Sequence, residues 1–287
     1  MAAVDRALCV IARSSTVAMR LAPGRGDRRL LLSYSVQVPL AAEYGSLVFW
    51  MADAYAARLH VAGLAPALLA PAWDWVSTID PDLTGRHVVS TTMDQLPEGR
   101  MFVKPALLKL VECPAGIWDS GDFRRAARRD GAGGSMRVQY TPQILRLDHE
   151  HRFVVRDGQV LTGSPYRVAG RAWHRSLVSG RSADALAFAR TAVQALGEDC
   201  PPVCSLDVAL DRDSGRWLIV EANPLWASGP YSCDPVRFVD AVEVANTTGT
   251  GRWAWTPEET QIDRARREEP VVAVSRDDAT GYVEFHG

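Results

Sequence analysis

The stretch Cys204–Tyr231 reads C-S-L-D-V-A-L-D-R-D-S-G-R-W-L-I-V-E-A-N-P-L-W-A-S-G-P-Y. Two apolar runs, Leu206–Leu210 and Trp217–Val220, flank the polar set Asp211-Arg212-Asp213-Ser214-Gly215. Short β-rich runs joined by a few turn-forming residues with a glycine predict a hairpin. Asp207 interrupts the first run; Glu221 and Asn223 end the second. Alternate residues of a strand leave it on the same face, so Glu221 and Asn223 point together. Pairing around the turn sets Asp207 roughly opposite Glu221, and two carboxylates and an amide oxygen then converge. Converging carboxylates repel unless a cation or proton lies between them. An all-oxygen donor set suits Mg²⁺, which usually also takes substrate phosphates. The same residues equally suit edge-strand charges followed by an Asn-Pro turn, and spacing alone leaves both readings open.

Composition narrows the class. The chain has 287 residues and a net charge of −2, without the basic excess of a nucleic-acid binder. Its five cysteines, Cys9, Cys113, Cys200, Cys204 and Cys233, are scattered and odd in number, which predicts reduced thiols rather than a disulfide frame. No apolar run approaches the roughly 18 residues of a membrane span. Asp5, Arg6 and Arg13 interrupt the N-terminal apolar stretch, which is not the layout of a signal peptide. The expectation is a cytoplasmic protein that engages neither membrane nor nucleic acid.

Along the chain, Ala7–Ala12 predicts a first strand, and Leu30–Leu32 with Tyr34–Val38 a second. Leu47, Trp50, Met51, Ala54, Ala57 and Val61 recur at helical intervals and predict one helix over Glu43–Leu64, with Trp50 and Met51 in the core. Met101-Phe-Val-Lys-Pro105 is a short strand ending in Lys104. Asp119–Arg129 reads as a basic helix whose four arginines make a solvated face. Phe153–Val155 and Val160–Leu161 bracket an Asp157-Gly158 turn. Ser182–Gly197 is an amphipathic helix, and Asp234-Pro235 begins another that runs to about Asn246. Val271–Val274 is a β-like piece in a charged tail.

Leu206-Asp-Val-Ala-Leu210, a turn, and Ile219-Val-Glu-Ala-Asn-Pro224 together resemble the metal-binding hairpin of the ATP-grasp superfamily, which includes D-alanine–D-alanine ligase and glutathione synthetase. The continuation Pro224-Leu-Trp-Ala-Ser-Gly-Pro-Tyr231 is closer to the small bacterial and phage branch named for its pair of arginines and one lysine. The resemblance covers roughly Met101 to Ala241. It implies magnesium ligands at Asp207, Glu221 and Asn223, and a strand lysine on the α- and β-phosphates at Lys104. Lys109 would cover the phosphates from the loop that follows. The segment from Gln139 to Gln143 would be the hinge whose backbone holds adenine. Glu150-His-Arg152 resembles the family's Glu-x-Arg and places Arg152 on the transferred phosphate, with Arg167 of Ser164-Pro-Tyr-Arg167 as a second clamp. One departure stands out: Ser205-Leu206 occupies the place where many members carry an arginine just before the magnesium aspartate.

The implied fold is ATP-grasp, two α+β lobes clamping ATP, preceded by a small α/β lobe. The expected division is an N-terminal lobe over 1–90, an ATP-grasp domain over 91–250 and a tail over 251–287. The implied activity is ligation of a carboxylate to an amine, amino acid or peptide, through an acyl-phosphate, with ATP and Mg²⁺. The alternatives are a nucleotide-binding module of the same fold without ligase turnover, and a structural α/β protein.

Overall fold

The protein is described by a computed structural model over residues 5–107, 110–173, 180–249 and 251–285. The first lobe contains β1 (Arg6–Ile11), α1 (Thr16–Leu21), β2 (Arg29–Ser33), β3 (Gln37–Pro39), β4 (Ser46–Met51) and α2 (Asp53–Val61). β1 lies between β2 and β4 and is parallel to both. Its five residues after Arg6 are all buried, as expected for a parallel strand covered on both faces.

The single helix expected over Glu43–Leu64 is corrected here. Ser46–Met51 is strand β4, and the helix begins only at Asp53. Leu-Val-Phe-Trp is rich in β-branched and aromatic side chains, which favour a pleated surface, and a short apolar run fits either period. Trp50 and Met51 are buried, as expected.

After the short helix α3 (Pro81–Thr84), the second lobe follows. It comprises β5 (Val89–Thr92), β6 (Arg100–Pro105), β7 (Gly116–Asp119), α4 (Ser120–Arg129) and β8 (Arg137–Thr141). The sheet order is β5-β8-β6-β7. Met101, Val103 and Val138 turn inward onto Phe123, Ala126 and Ala127 of α4. The strand period therefore sends Phe102, Lys104, Arg137 and Gln139 to the opposite face. The α4 arginines all have carboxylate partners: Arg124 with Glu98, Arg125 with Asp122, Arg128 with Asp94 and Arg129 with Glu112.

The third lobe holds β9 (Leu147–Arg156), β10 (Gln159–Val168), β11 (Arg171–Ala172), α5 (Gly180–Leu196), β12 (Val203–Asp211), β13 (Trp217–Asn223) and α6 (Pro235–Ala245). Its sheet order is β11-β10-β9-β12-β13. β9 and β10 turn at Asp157 (φ 49°) and Gly158 (φ 70°), the positive pair that a two-residue hairpin requires. Phe153, Val155, Leu206, Val208 and Ile219 pack on the alanine-rich stripe Ala185, Ala189, Ala192 of α5. On the opposite face Val154 and Val203 join the first-lobe core through Phe238 and Val242 of α6.

The tail closes the chain back on its beginning. After α7 (Glu259–Ala265), β14 (Val272–Val274) pairs parallel to β3, and β15 (Tyr282–Glu284) pairs antiparallel to β2. Among the described residues no helix is long and apolar enough to cross a membrane.

Candidate active site

The hairpin β12/β13 sets the frame. Asp207 is the cross-strand partner of Glu221, and Ser205 the partner of Asn223. The ladder then slips: Val208 pairs with Ile219, leaving Val220 as a bulge. The extra residue restores the parity that sends Ile219 to the core while Glu221 and Asn223 face the cleft. The Val220 carbonyl accepts from Arg86 Nη2 at 3.3 Å. Arg86, in the turn after α3, is buried; burial lowers its pKa and nearby Glu221 opposes the shift.

Asp207 is 1 % exposed. Arg152, its partner on β9, donates Nε to Oδ1 at 2.8 Å and Nη2 to Oδ2 at 2.7 Å. This bidentate fork satisfies both oxygens. Burial nevertheless pushes the Asp207 carboxyl up to about 6, against the pull of Arg152. Glu221 pairs with Lys104, which reaches across from the sheet of the second lobe. Burial works against the Glu221 charge too, but Lys104 and the Asn223 amide outweigh it and hold the carboxyl down to about 2. Asn223 Nδ2 donates to Glu221 at 2.8 Å and to Asp207 at 3.3 Å. A half-turn of that amide presents oxygen instead.

Around this pair, Glu150 accepts from Tyr166 Oη at 2.8 Å and from Arg167 Nη1 at 3.2 Å, so Arg167 is held by the carboxylate two residues before Arg152. The rings of Tyr166 and Tyr231 are stacked at 5.2 Å, and the Arg152 guanidinium lies 5.7 Å from the first and 5.1 Å from the second. Tyr231 has φ 46°. Burial raises the pKa of both phenols, with Arg152 opposing it at Tyr231, and both stay protonated as donors. Ser205, at the place of the missing arginine, shares a 2.6 Å hydrogen bond with Ser228, while Arg152 supplies a guanidinium to Asp207 from the next strand. Trp50 Nε1 donates to the Ser228 carbonyl, and Trp226 Nε1 to Leu69, both at 2.8 Å. These bonds tie the segment after Asn223 to the first lobe.

The structure thus brings together Lys104, Glu150, Arg152, Arg167, Asp207, Glu221 and Asn223. Gln139 and Gln143 are engaged otherwise. Gln139 Nε2 donates to the Trp73 carbonyl, and Gln143 Oε1 accepts from His87 N at 3.0 Å and Thr141 Oγ1 at 3.1 Å. Their side chains brace the strand β8 and its exit. Lys109 lies outside the described residues. Arg86, Tyr166 and Tyr231 escaped the sequence reading: nothing in Thr-Gly-Arg-His marks a buried guanidinium, although Gly229-Pro230 marks a special turn before Tyr231. Beside the Gln139–Trp73 bond a cleft of about 530 Å³ opens, lined by Trp73, Leu107, Arg137, Arg252, Trp255 and Glu258. Arg137 lies over the Trp73 ring at 4.4 Å and pairs with Glu258.

In donor chemistry, Asp207, Glu221 and Asn223 offer hard oxygens to one point, and the two carboxylates hold cations already. Among the described residues no three His, Cys, Asp or Glu side chains gather as a metal site; the third donor here is an amide. The set fits a divalent ion that completes its shell with phosphate oxygens and water.

Residues 83–241, more than half of the chain, match a family described as an ATP-grasp domain, the second family of its clade. The chain belongs to the ATP-grasp superfamily. No curated protein matches it. Solved structures do. D-alanine–D-alanine ligase from Bacillus anthracis is 9 % identical, with a TM-score of 0.50 over 84 % of this chain and 97 % of that one. The D-alanine–D-alanine ligase from Coxiella burnetii is 10 % identical, with a TM-score of 0.49 over 92 % and 97 %. The ATP-grasp ligase PsnB, complexed with precursor peptide PsnA2 and AMPPNP, is 12 % identical, with a TM-score of 0.41 over 86 % and 99 %. At these identities the likeness is one of fold. The ATP-grasp architecture accounts for the second and third lobes, whose sheets present Lys104 and Glu221 to each other.

Proposed function

We propose that the protein is an ATP-dependent carboxylate–amine ligase. It would transfer the γ-phosphoryl group of ATP to a substrate carboxylate and then join the acyl-phosphate to an amine, releasing ADP and phosphate. The observation that carries this reading is the exchangeable charge set: two cross-strand carboxylates, Asp207 and Glu221, each hold a cation, Arg152 and Lys104, from different strands. Phosphoryl transfer asks a protein mainly for positioning and charge neutralisation. Lys104 would move from Glu221 to the inner phosphates as a point charge. Arg152 and Arg167 would hold the moving phosphoryl group and the carboxylate that receives it. Asp207, Glu221 and Asn223 would hold Mg²⁺, which when bound supplies charge neutralisation on the phosphates. Gln139 and Gln143 would keep the adenine-binding backbone of β8 and its exit in place.

The substrates fit the cleft beside Trp73. β8 runs from Arg137 at that cleft, past Gln139 opposite Lys104, to Thr141 at the exit toward β9. Adenine at the exit end and phosphates at Lys104 leave the Arg137 end for the carboxylate. An amino acid or peptide suits the mixed aromatic and charged lining. The test is ADP release from Mg·ATP across a panel of amino acids and dipeptides. The reading predicts substrate-dependent ADP formation in the wild type that falls at least about a hundredfold in a Glu221→Gln, Asn223→Ala double variant. Equal ADP formation by both proteins contradicts it. Nucleotide binding without turnover on any substrate favours the alternative, a binding module of the same fold.

A further inference from the structure

Asp207 has only two oxygens, and Arg152 occupies both. If Asp207 turns to a divalent ion, Arg152 loses the contacts that aim it. Its other hydrogen-bond partner is the Gly229 carbonyl, at 3.5 Å from Nη1, the outer limit of a hydrogen bond. An arginine side chain released in this way would scatter over its rotamers. The two tyrosine rings provide a second hold that does not depend on Asp207. Both lie within about 6 Å of the guanidinium, the range of a cation–π contact, and the contact uses none of the N–H donors.

The backbone points the same way. Tyr231 is one of three described non-glycine residues with positive φ, and the chain places its glycine at 229 instead. A bulky side chain in the left-handed region is unfavourable and persists where the surroundings impose it. Here it brings the ring onto Tyr166 with an interplanar angle of 13°. We propose that Tyr231, stacked on Tyr166, is a positioning residue that keeps the Arg152 guanidinium aimed at the transferred phosphoryl group when Asp207 turns to the metal ion. The inference rests on the ligase reading for the identity of that group.

The test measures Mg·ATP and Mg·ADP affinities by calorimetry for the wild type, Tyr231→Phe, Tyr231→Gly, Tyr231→Asn and Arg152→Lys. Glycine and asparagine both accept the positive φ, so their folding is not compromised by the backbone; if one fails to fold, the other carries the test. In the ligase reading Arg152 faces only the γ-phosphate. The expected result is Mg·ATP binding about tenfold weaker in Tyr231→Gly and Tyr231→Asn, with Mg·ADP binding unchanged, matching Arg152→Lys. Tyr231→Phe keeps the ring and should bind like the wild type. A purely structural role would weaken both nucleotides together and overturns the proposal. So does unchanged ATP affinity in the ring-less variants. A wild type that binds neither nucleotide overturns the ligase reading itself, and this inference with it.

Discussion

Replacing Arg152 by methionine should be among the most costly single changes outside the apolar core. Asp207 is 1 % exposed, and both its oxygens bond to Arg152, at 2.8 and 2.7 Å. Removing one partner of a buried ion pair strands the other and costs about 3–5 kcal/mol. The penalty should depend on pH, because Asp207 can escape it by taking a proton. Its carboxyl already stands near 6 with Arg152 present, above the unfolded value of 3.8. A raised acid binds its proton more tightly folded than unfolded, so the stability it offers is present at low pH and lost as pH rises through the folded value. The Arg152→Met penalty should therefore be small at pH 5 and large at pH 8. Asp207→Asn removes the charge, and the double variant should recover about 2 kcal/mol or more relative to additivity. Urea unfolding followed by tryptophan fluorescence measures all three. The reasoning is refuted if Arg152→Met costs less than about 1 kcal/mol and costs the same at both pH values.

Other consequences are as direct. His151 is buried on the opposite face of β9, shares a 3.1 Å hydrogen bond with Ser182 and has its pKa lowered to about 4 by burial, with His149 adding to the shift. A base lowered from 6.5 costs stability as pH falls from 6.5 to 4, here by about 3 kcal/mol at most. His151→Gln should flatten the melting temperature over that window relative to the wild type. Gly24 is buried against the start of α6, and a Cβ there would lie 2.0 Å from the Pro235 carbonyl oxygen. Gly24→Ala should cost about 1–3 kcal/mol in denaturant unfolding, and an unchanged midpoint would contradict the packing. Arg86→Met should leave the bulge carbonyl of Val220 without its donor and cost about 1 kcal/mol, readable in the same assay.

Much of the third lobe was legible in the sequence because its signals are local. Asp157-Gly158 and the polar run 211–215 mark their turns by residue type, and the period of two then dictates which side chains share a face with Asp207. The Asp207–Glu221 pairing followed from counting back from the turn. The bulge at Val220 did not, since it depends on what faces each side of the sheet. Nor did the site's second layer. Arg86 and the two stacked tyrosines come from segments far apart in the chain, and burial of a guanidinium has no local signature. The first lobe misled for another reason: Leu47, Trp50 and Met51 satisfy a helical spacing, yet a six-residue buried strand carries the same apolar letters. The tail strands were unreadable as partners because β14 and β15 pair with β3 and β2, more than two hundred residues earlier.

The central claim is that Asp207, Glu221 and Asn223 form the heart of a Mg·ATP site. Thermal unfolding of the wild type beside Asp207→Asn, each with and without Mg·ATP, tests it most directly. Nucleotide at about 100 times its dissociation constant adds roughly 2.7 kcal/mol to the folded state. The account predicts a clear rise in the melting temperature of the wild type that is lost in Asp207→Asn. An equal rise in both proteins, or no rise in the wild type at millimolar Mg·ATP, would contradict it.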